Sequence, residues 1–239
     1  MSKVEKLQRT RPKSEFLTGA RDQLPILLGV VPFGVIFGAL AISVGIPPLA
    51  AQGFSLFVFA GSSQFIAVGL IGEMAPVIVI LTTIFVVNLR HALYSASLSP
   101  HFVHLRMRWK LTLSWLLTDE AFATASTRYR RTNTTAAHWY TLGTGLTLFT
   151  AWQFSTALGI WVGGEIPADF PLAFALPLTF IALLVPNLVD RGTLAAAVSA
   201  GGIAVLLSGL PLRLGLLIGA VVGIGIGLWV DRRSTNVKT

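Results

Sequence analysis

Arg90, Asp119 and Glu120 are charged side chains set inside long apolar stretches, and they give this chain its means of doing chemistry. They belong to two of three polar clusters, Asn88-Leu89-Arg90-His91 and Thr118-Asp119-Glu120; the third is Ala60-Gly61-Ser62-Ser63-Gln64-Phe65. Runs of Val, Ile, Leu, Phe and Ala flank each cluster. An ionisable group held at bilayer depth costs several kcal/mol, so it persists where it pairs with another group or serves a pathway. The chemistry such groups offer is carriage. A guanidinium receives a carboxylate, and a carboxylate receives an ammonium or a proton.

The elements that must position these clusters are membrane segments. Of the 239 residues 54% are hydrophobic and 12% charged, with a mean hydropathy of +0.74. A soluble domain carries about 25% charged residues. Eight apolar segments stand out, at 24–44, 49–70, 75–98, 109–127, 138–162, 172–188, 193–209 and 211–230. Each is near the roughly 20 residues needed to cross a hydrocarbon core. The expected fold is an all-α polytopic integral membrane protein. A basic N-terminal segment (1–23) precedes a single membrane domain (24–230), and a short tail (231–239) follows it.

The net charge of +8 does not point to nucleic acid, because no soluble module is left to bind it. The basic residues gather beside spans instead: Lys3, Lys6, Arg9, Arg11, Lys13 and Arg21 in front, Arg128, Arg130 and Arg131 mid-chain, Arg232 and Arg233 at the end. That is the pattern of cytoplasmic flanks meeting anionic lipid. With no cysteine, disulfides, thiolate metal sites and iron–sulfur clusters are excluded. The first 23 residues lack the short apolar core of a signal peptide, and Ser14–Leu24 reads as an interfacial helix leading into the first span.

Basic residues at both ends place both termini in the cytoplasm, so the number of crossings is even. If all eight segments cross, Arg106, Arg108 and Lys110 fall outside, against the positive-inside rule. A second solution has 49–70 and 109–127 entering and leaving on one side as broken or re-entrant segments. Both have a polar break near the middle, at Gly61-Ser62-Ser63 and at Thr118-Asp119-Glu120. Non-helical backbone at membrane depth is tolerated where it lines a cavity or is buried in protein. Six crossings plus two discontinuous segments is the preferred reading over eight crossings.

The clusters divide by role. At Gly61, Ser62, Ser63 and Gln64, a half-helix starting at the break would aim its positive end at a substrate carboxylate. Close helix packing, with Gln64 bonded to a neighbour, is the plainer use of the same residues. Arg90 needs a carboxylate, and Asp119 and Glu120 are the nearest at membrane depth. Either they form a structural ion pair, or Arg90 meets the carboxylate of a zwitterionic ligand; one arrangement can do both. His91, three residues from Tyr94 and so on the same helical face, is a proton-coupling candidate with Asp119 and Glu120. A neutral His settled at a helix interface is the alternative. His101 and His104 have no third ligand beside them, so no metal site is expected. Gly215, Gly219, Gly223 and Gly227, like Gly34 and Gly38, recur every four residues and mark faces for close helix packing. A faint echo between Pro25…Pro32 and Pro177…Pro186 hints at an internal repeat, but prolines are common in membrane helices.

Taken together, Pro32-Phe33-Gly34…Gly38, Phe59-Ala60-Gly61-Ser62-Ser63-Gln64-Phe65, Asn88-Leu89-Arg90-His91…Tyr94-Ser95 and Asp119-Glu120-Ala121-Phe122 resemble the AzlC family in residue type and order. The resemblance runs from about residue 16 to 230 and is dense in the first half. It implies the large subunit of a bacterial branched-chain amino acid exporter in the inner membrane. Val, Leu or Ile would leave the cytoplasm, Met being left open, with the proton motive force supplying the energy. It further implies a small membrane subunit of the AzlD type; no cofactor is expected. In this picture Gly61, Ser62, Ser63, Gln64, Phe65, Asn88, Arg90, Asp119 and Glu120 form the substrate route, with the aliphatic side chain among Phe59, Phe65 and Phe122. An enzyme is not expected, since no Gly-x-Ser-x-Gly, His-Glu-x-x-His or phosphate-binding loop occurs. A passive channel for a small solute and a non-transporting structural subunit are the other readings.

Overall fold

The computed structural model describes residues 10–132, 136–165, 190–209 and 214–236, with Ile181, Val185 and Leu188 between them. The segment expected at 172–188 therefore lies almost wholly outside the described residues, as do Lys3, Lys6 and Arg9. All regular structure among the described residues is helical. The chain divides into two compact units, Met1–Ala173 and Phe174–Thr239.

The described residues of the first unit form seven helices: α1 (Pro12–Ser43), α2 (Pro48–Phe57), α3 (Gly61–Gly72), α4 (Val77–Phe102), α5 (Met107–Trp115), α6 (Asp119–Arg131) and α7 (Ala137–Glu165). On length and hydropathy, α1 and α4 are able to cross a bilayer. The expected interfacial helix at Ser14–Leu24 is not a separate element; it forms the first turns of α1, which runs unbroken through Pro25 and Pro32.

α1 and α7 are the spine of this unit. They lie parallel, because Gly19 faces Thr144, Gly34 faces Ser155, and Gly38 faces Gly159 and Ile160, the numbers rising together. Glycines on both helices remove the side chains that would hold the backbones apart. A Cβ on Gly159 would stand 2.8 Å from Val35 Cα, and one on Gly163 would stand 2.7 Å from Ala39 Cα. Such contact is the small-residue solution to helix packing.

The two suspect segments are interrupted near where the sequence shows its polar breaks, and each turns back. α2 leaves the C-terminal end of α1 through a Schellman turn: Ile46 N–H donates to Ala41 O at 3.0 Å, and Gly45 takes φ +86°. After the break at Val58–Ala60, α3 returns to the same end, where a Cβ on Gly72 would stand 3.0 Å from Val44 Cγ1. α5 begins beside the start of α7, with Trp109 4.9 Å from the His138 ring. After the break at Leu116–Thr118, α6 comes back to that end, where the Tyr129 hydroxyl donates to Ala137 O at 2.6 Å. Two helical hairpins thus enter from opposite ends of the α1/α7 pair. α4 joins them, running antiparallel to α1.

The second unit contains α8 (Arg191–Leu206) and α9 (Leu214–Asn236). Asp190 opens α8 with a capping box, accepting from Thr193 N–H at 2.7 Å. Gly215, Gly219, Gly223 and Gly227 face Leu207, Ala204, Ala200 and Ala196 in descending order, so the pair is antiparallel and the glycine face of α9 packs on α8.

Candidate functional site

The site forms where the two breaks meet. α3 starts at Gly61 after an extended Ala60 (φ −151°, ψ 92°), and no side chain caps it. Its first amide with a backbone partner is that of Gln64, which donates to Ala60 O at 3.0 Å. The N–H groups of Gly61, Ser62 and Ser63 have no partner among the described residues, and together with the helix dipole they form a small positive field. α6 starts differently. Thr118 caps it, accepting from Ala121 N–H at 3.4 Å, and Asp119 and Glu120 fill its first turn with negative charge.

Arg90, halfway along α4, ties the two starts together. Its guanidinium donates to the Ser62 hydroxyl and to the Asp119 carboxylate. Beside it, Ser63 Oγ donates to Asn88 Oδ1 at 2.6 Å and clamps α3 to α4 a second time. The pair is reachable, the side chains of Arg90 and Asp119 being 30% and 41% exposed. It is also incompletely satisfied: Arg90 Nε, Asp119 Oδ1 and His91 Nε2 are buried without a hydrogen-bond partner. Both amide atoms of the fully buried Gln64 lack one too. Groups in that condition have spare capacity for a ligand or water.

Aromatic rings frame this centre, but the three expected to form one cage are committed to different neighbours. Phe59 meets Phe149 edge-on at 5.1 Å, and Phe65 meets Phe33 and Phe37 at 6.5 and 5.9 Å. Phe122 stacks on Tyr94, with centroids 4.5 Å apart and planes 13° from parallel. Tyr94 in turn lies 6.0 Å from His91. The Tyr94–Phe122 stack is the one that adjoins the charged pair in sequence, at Arg90 and Asp119. His101 packs on Tyr129 and His104 approaches His138, and no metal-binding group of side chains occurs among the described residues.

Two further polar groups escaped the reading of the sequence. Gln52 Nε2 donates to Gln153 Oε1 at 2.8 Å, Gln153 Nε2 donates to Ser55 O at 3.1 Å, and the hydroxyls of Ser55 and Thr156 lie 3.1 Å apart, locking α2 to α7. At the other end Arg128 pairs with the buried Glu15 at 3.3 Å and lies over the Tyr140 ring, whose hydroxyl donates to Asp22 at 2.7 Å. Their signal in the sequence is weak. Gln52 and Gln153 are uncharged, while Glu15 and Arg128 read as ordinary flanks of spans.

The pattern of the AzlC protein family matches residues 25–166, which hold both hairpins and the whole Arg90 centre. The chain belongs to the AzlC family. It is 27% identical to "Inner membrane protein YgaZ" of Escherichia coli K12, over 87% of each chain. It is 32% identical to an "Uncharacterized membrane protein" of Archaeoglobus fulgidus, over 90% of this chain and 94% of that one. A Helicobacter pylori protein of the same description is 30% identical over 71% and 75%. All three relatives are named as membrane proteins, in agreement with the hydropathy of this chain. No solved structure matches. As an AzlC protein the chain keeps its charged pair within the family segment, between two interrupted helices.

Proposed function

We propose that this AzlC chain is the large subunit of a secondary transporter that exports branched-chain or other hydrophobic amino acids across the inner membrane. It couples export to protons and acts with a small AzlD-type membrane subunit. The observation that carries this reading is the Arg90 bridge, one guanidinium touching the starts of two interrupted helices, at Ser62 and Asp119. Interrupted helices whose ends meet near the middle of a unit are a recurring way to hold a polar substrate away from water.

In this reading the two hairpins are re-entrant loops, and the rest of the chain makes six crossings with both termini in the cytoplasm. The substrate carboxylate sits between Arg90 and the uncapped amides of Gly61–Ser63. Its ammonium faces Asp119 or Glu120, and its aliphatic chain lies against the Tyr94–Phe122 stack. Asn88 and Gln64 hold the walls. A carboxylate at Arg90 competes with Asp119 for the same guanidinium, so loading the substrate releases Asp119 to accept a proton, with Glu120 or His91 relaying it. An apolar wall separates Val from Leu by only about 1–3 kcal/mol, and broad specificity follows.

The test is efflux of preloaded labelled leucine from cells making this chain with its small subunit, beside Glu120→Gln and Arg90→Ala variants at matched membrane levels. Saturable efflux that collapses with an uncoupler and is lost in both variants supports the proposal. Efflux indifferent to the uncoupler and without saturation turns the reading to a passive channel. No efflux of any hydrophobic amino acid removes the substrate assignment.

A further inference from the structure

A cavity of about 370 Å³ opens between α4, α5 and the first turns of α7. Its size lies within the roughly 300–1,000 Å³ typical of small-molecule sites. Its place is informative. Lys110 stands at one end of its lining, near the turn where α4 passes into α5, and donates to Val103 O at 3.1 Å. Leu117 stands at the other end, in the break that precedes Thr118 and Asp119. Seven residues of rise along α5 and into the break make this distance about 10 Å. The cavity therefore runs from the end of the unit where α7 begins toward the Arg90–Asp119 pair.

Its lining has a definite chemistry. Leu98, Phe102, Leu113 and Leu117 supply an apolar wall. Ser95 and Ser114 add hydroxyls that have no hydrogen-bond partner among the described residues. Among the described residues, Lys110 is the one charged side chain in the lining, and the lining holds no carboxylate. A ligand suited to this lining has a small aliphatic body and an anionic end. We infer that the cavity is an intake vestibule, which receives a hydrophobic amino acid from the cytoplasmic side before the molecule reaches Arg90. Lys110 draws the carboxylate in, the free hydroxyls keep the polar end solvated, and the leucine-rich wall accepts the side chain. The inference deepens the export reading and rests on it for the identity of the ligand.

The absence of cysteine makes a direct test possible. Ser99→Cys and Ser114→Cys, both near-isosteric changes in the lining, would be labelled with a membrane-impermeant maleimide. The preparation is inside-out vesicles carrying the chain with its small subunit. Met107→Cys, at the start of α5, outside the lining and 68% exposed, is the control. Saturating leucine is expected to slow labelling at 99 and 114 several-fold, glutamate to leave it unchanged, and neither to affect position 107. Equal labelling with and without leucine overturns the inference. So does reaction with only a membrane-soluble maleimide, which would make the cavity a lipid groove. Leucine counterflow in the same vesicles separates the two proposals. Counterflow without protection removes the vestibule alone, whereas protection without counterflow keeps the site and removes the export reading.

Discussion

Phe59 and Trp115 stand with ring centroids 6.4 Å apart, although they lie at the tips of hairpins that enter from opposite ends of the α1/α7 pair. Phe149 on α7 touches both, at 5.1 and 4.9 Å. The contact explains how backbone can be left unwound here at little cost. Leu116 and Leu117 are 1% and 3% exposed and Phe59 6%, so the apolar residues of the breaks are packed. The polar residues that follow them, Ser62 and Asp119 in the first turns of α3 and α6, turn to Arg90. Each hairpin plugs the unit from one side, and the charged pair lies where the plugs meet.

The hairpin geometry predicts which loops share a face of the membrane. Single cysteines at Ile46 and Met74, on the two ends of the α2–α3 hairpin, are expected to react with an impermeant maleimide from one side only. Cysteines at Leu105 and Thr132, on the two ends of the α5–α6 hairpin, are expected to react only from the other. Labelling of Ile46 and Met74 from opposite sides would show that 49–70 crosses, and the re-entrant reading would fail.

The glycine seam predicts a sharp contrast within α1. Gly38→Leu drives a side chain into Gly159 and Ile160 backbone, which has no means of yielding. Overpacking of this kind costs about 1–3 kcal/mol and often more. Gly29→Leu meets nothing within 4 Å and should be neutral, or slightly stabilising through helix propensity. Thermal melting of the detergent-solubilised protein is expected to fall by several degrees for Gly38→Leu alone.

How far the sequence reveals this arrangement depends on whether local chemistry or tertiary contact decides it. The breaks were legible only to within a few residues: Gly61-Ser62-Ser63 and Asp119-Glu120 open the helices that follow, while the unwound residues are the mostly apolar Val58–Ala60 and Leu116–Thr118. The Arg90–Asp119 partnership was half legible: a guanidinium at depth demands a carboxylate, but its choice over Glu120 rests on where α6 begins. The aromatic surroundings were not legible. Nothing in the spacing of Phe59, Phe65 and Phe122 tells that Phe65 turns to α1 while Phe122 stacks on Tyr94. Nor was the Glu15–Arg128 pair, which joins residues 113 positions apart.

That pair makes its own prediction. Arg128 reads as a surface flank, yet it neutralises Glu15, which is 3% exposed. Breaking a fully buried pair by removing one partner costs about 3–5 kcal/mol. The cost is smaller here, because the Arg128 side chain keeps 29% exposure. Arg128→Gln should destabilise the protein more than the Glu15→Gln/Arg128→Gln double variant, since the second change removes the orphaned charge. Additive losses in thermal stability would mean that the two side chains do not depend on each other.

The sharpest prediction concerns the division of labour between Arg90 and Asp119. If Asp119 occupies the guanidinium until a substrate carboxylate displaces it, Asp119→Asn removes a competitor and a proton acceptor in one change. Leucine counterflow, which needs only binding and reorientation, should persist with an apparent affinity at least as tight as wild type. Net efflux should lose its response to an uncoupler. Arg90→Lys should behave in the opposite way: a single ammonium cannot span Ser62 and Asp119 as a planar guanidinium does, so counterflow itself falls by an order of magnitude or more. Counterflow and uncoupler sensitivity, measured in the same vesicles, separate the cases. If Asp119→Asn abolishes counterflow while protein levels hold, Asp119 binds the substrate ammonium directly, and proton coupling passes to Glu120 or His91.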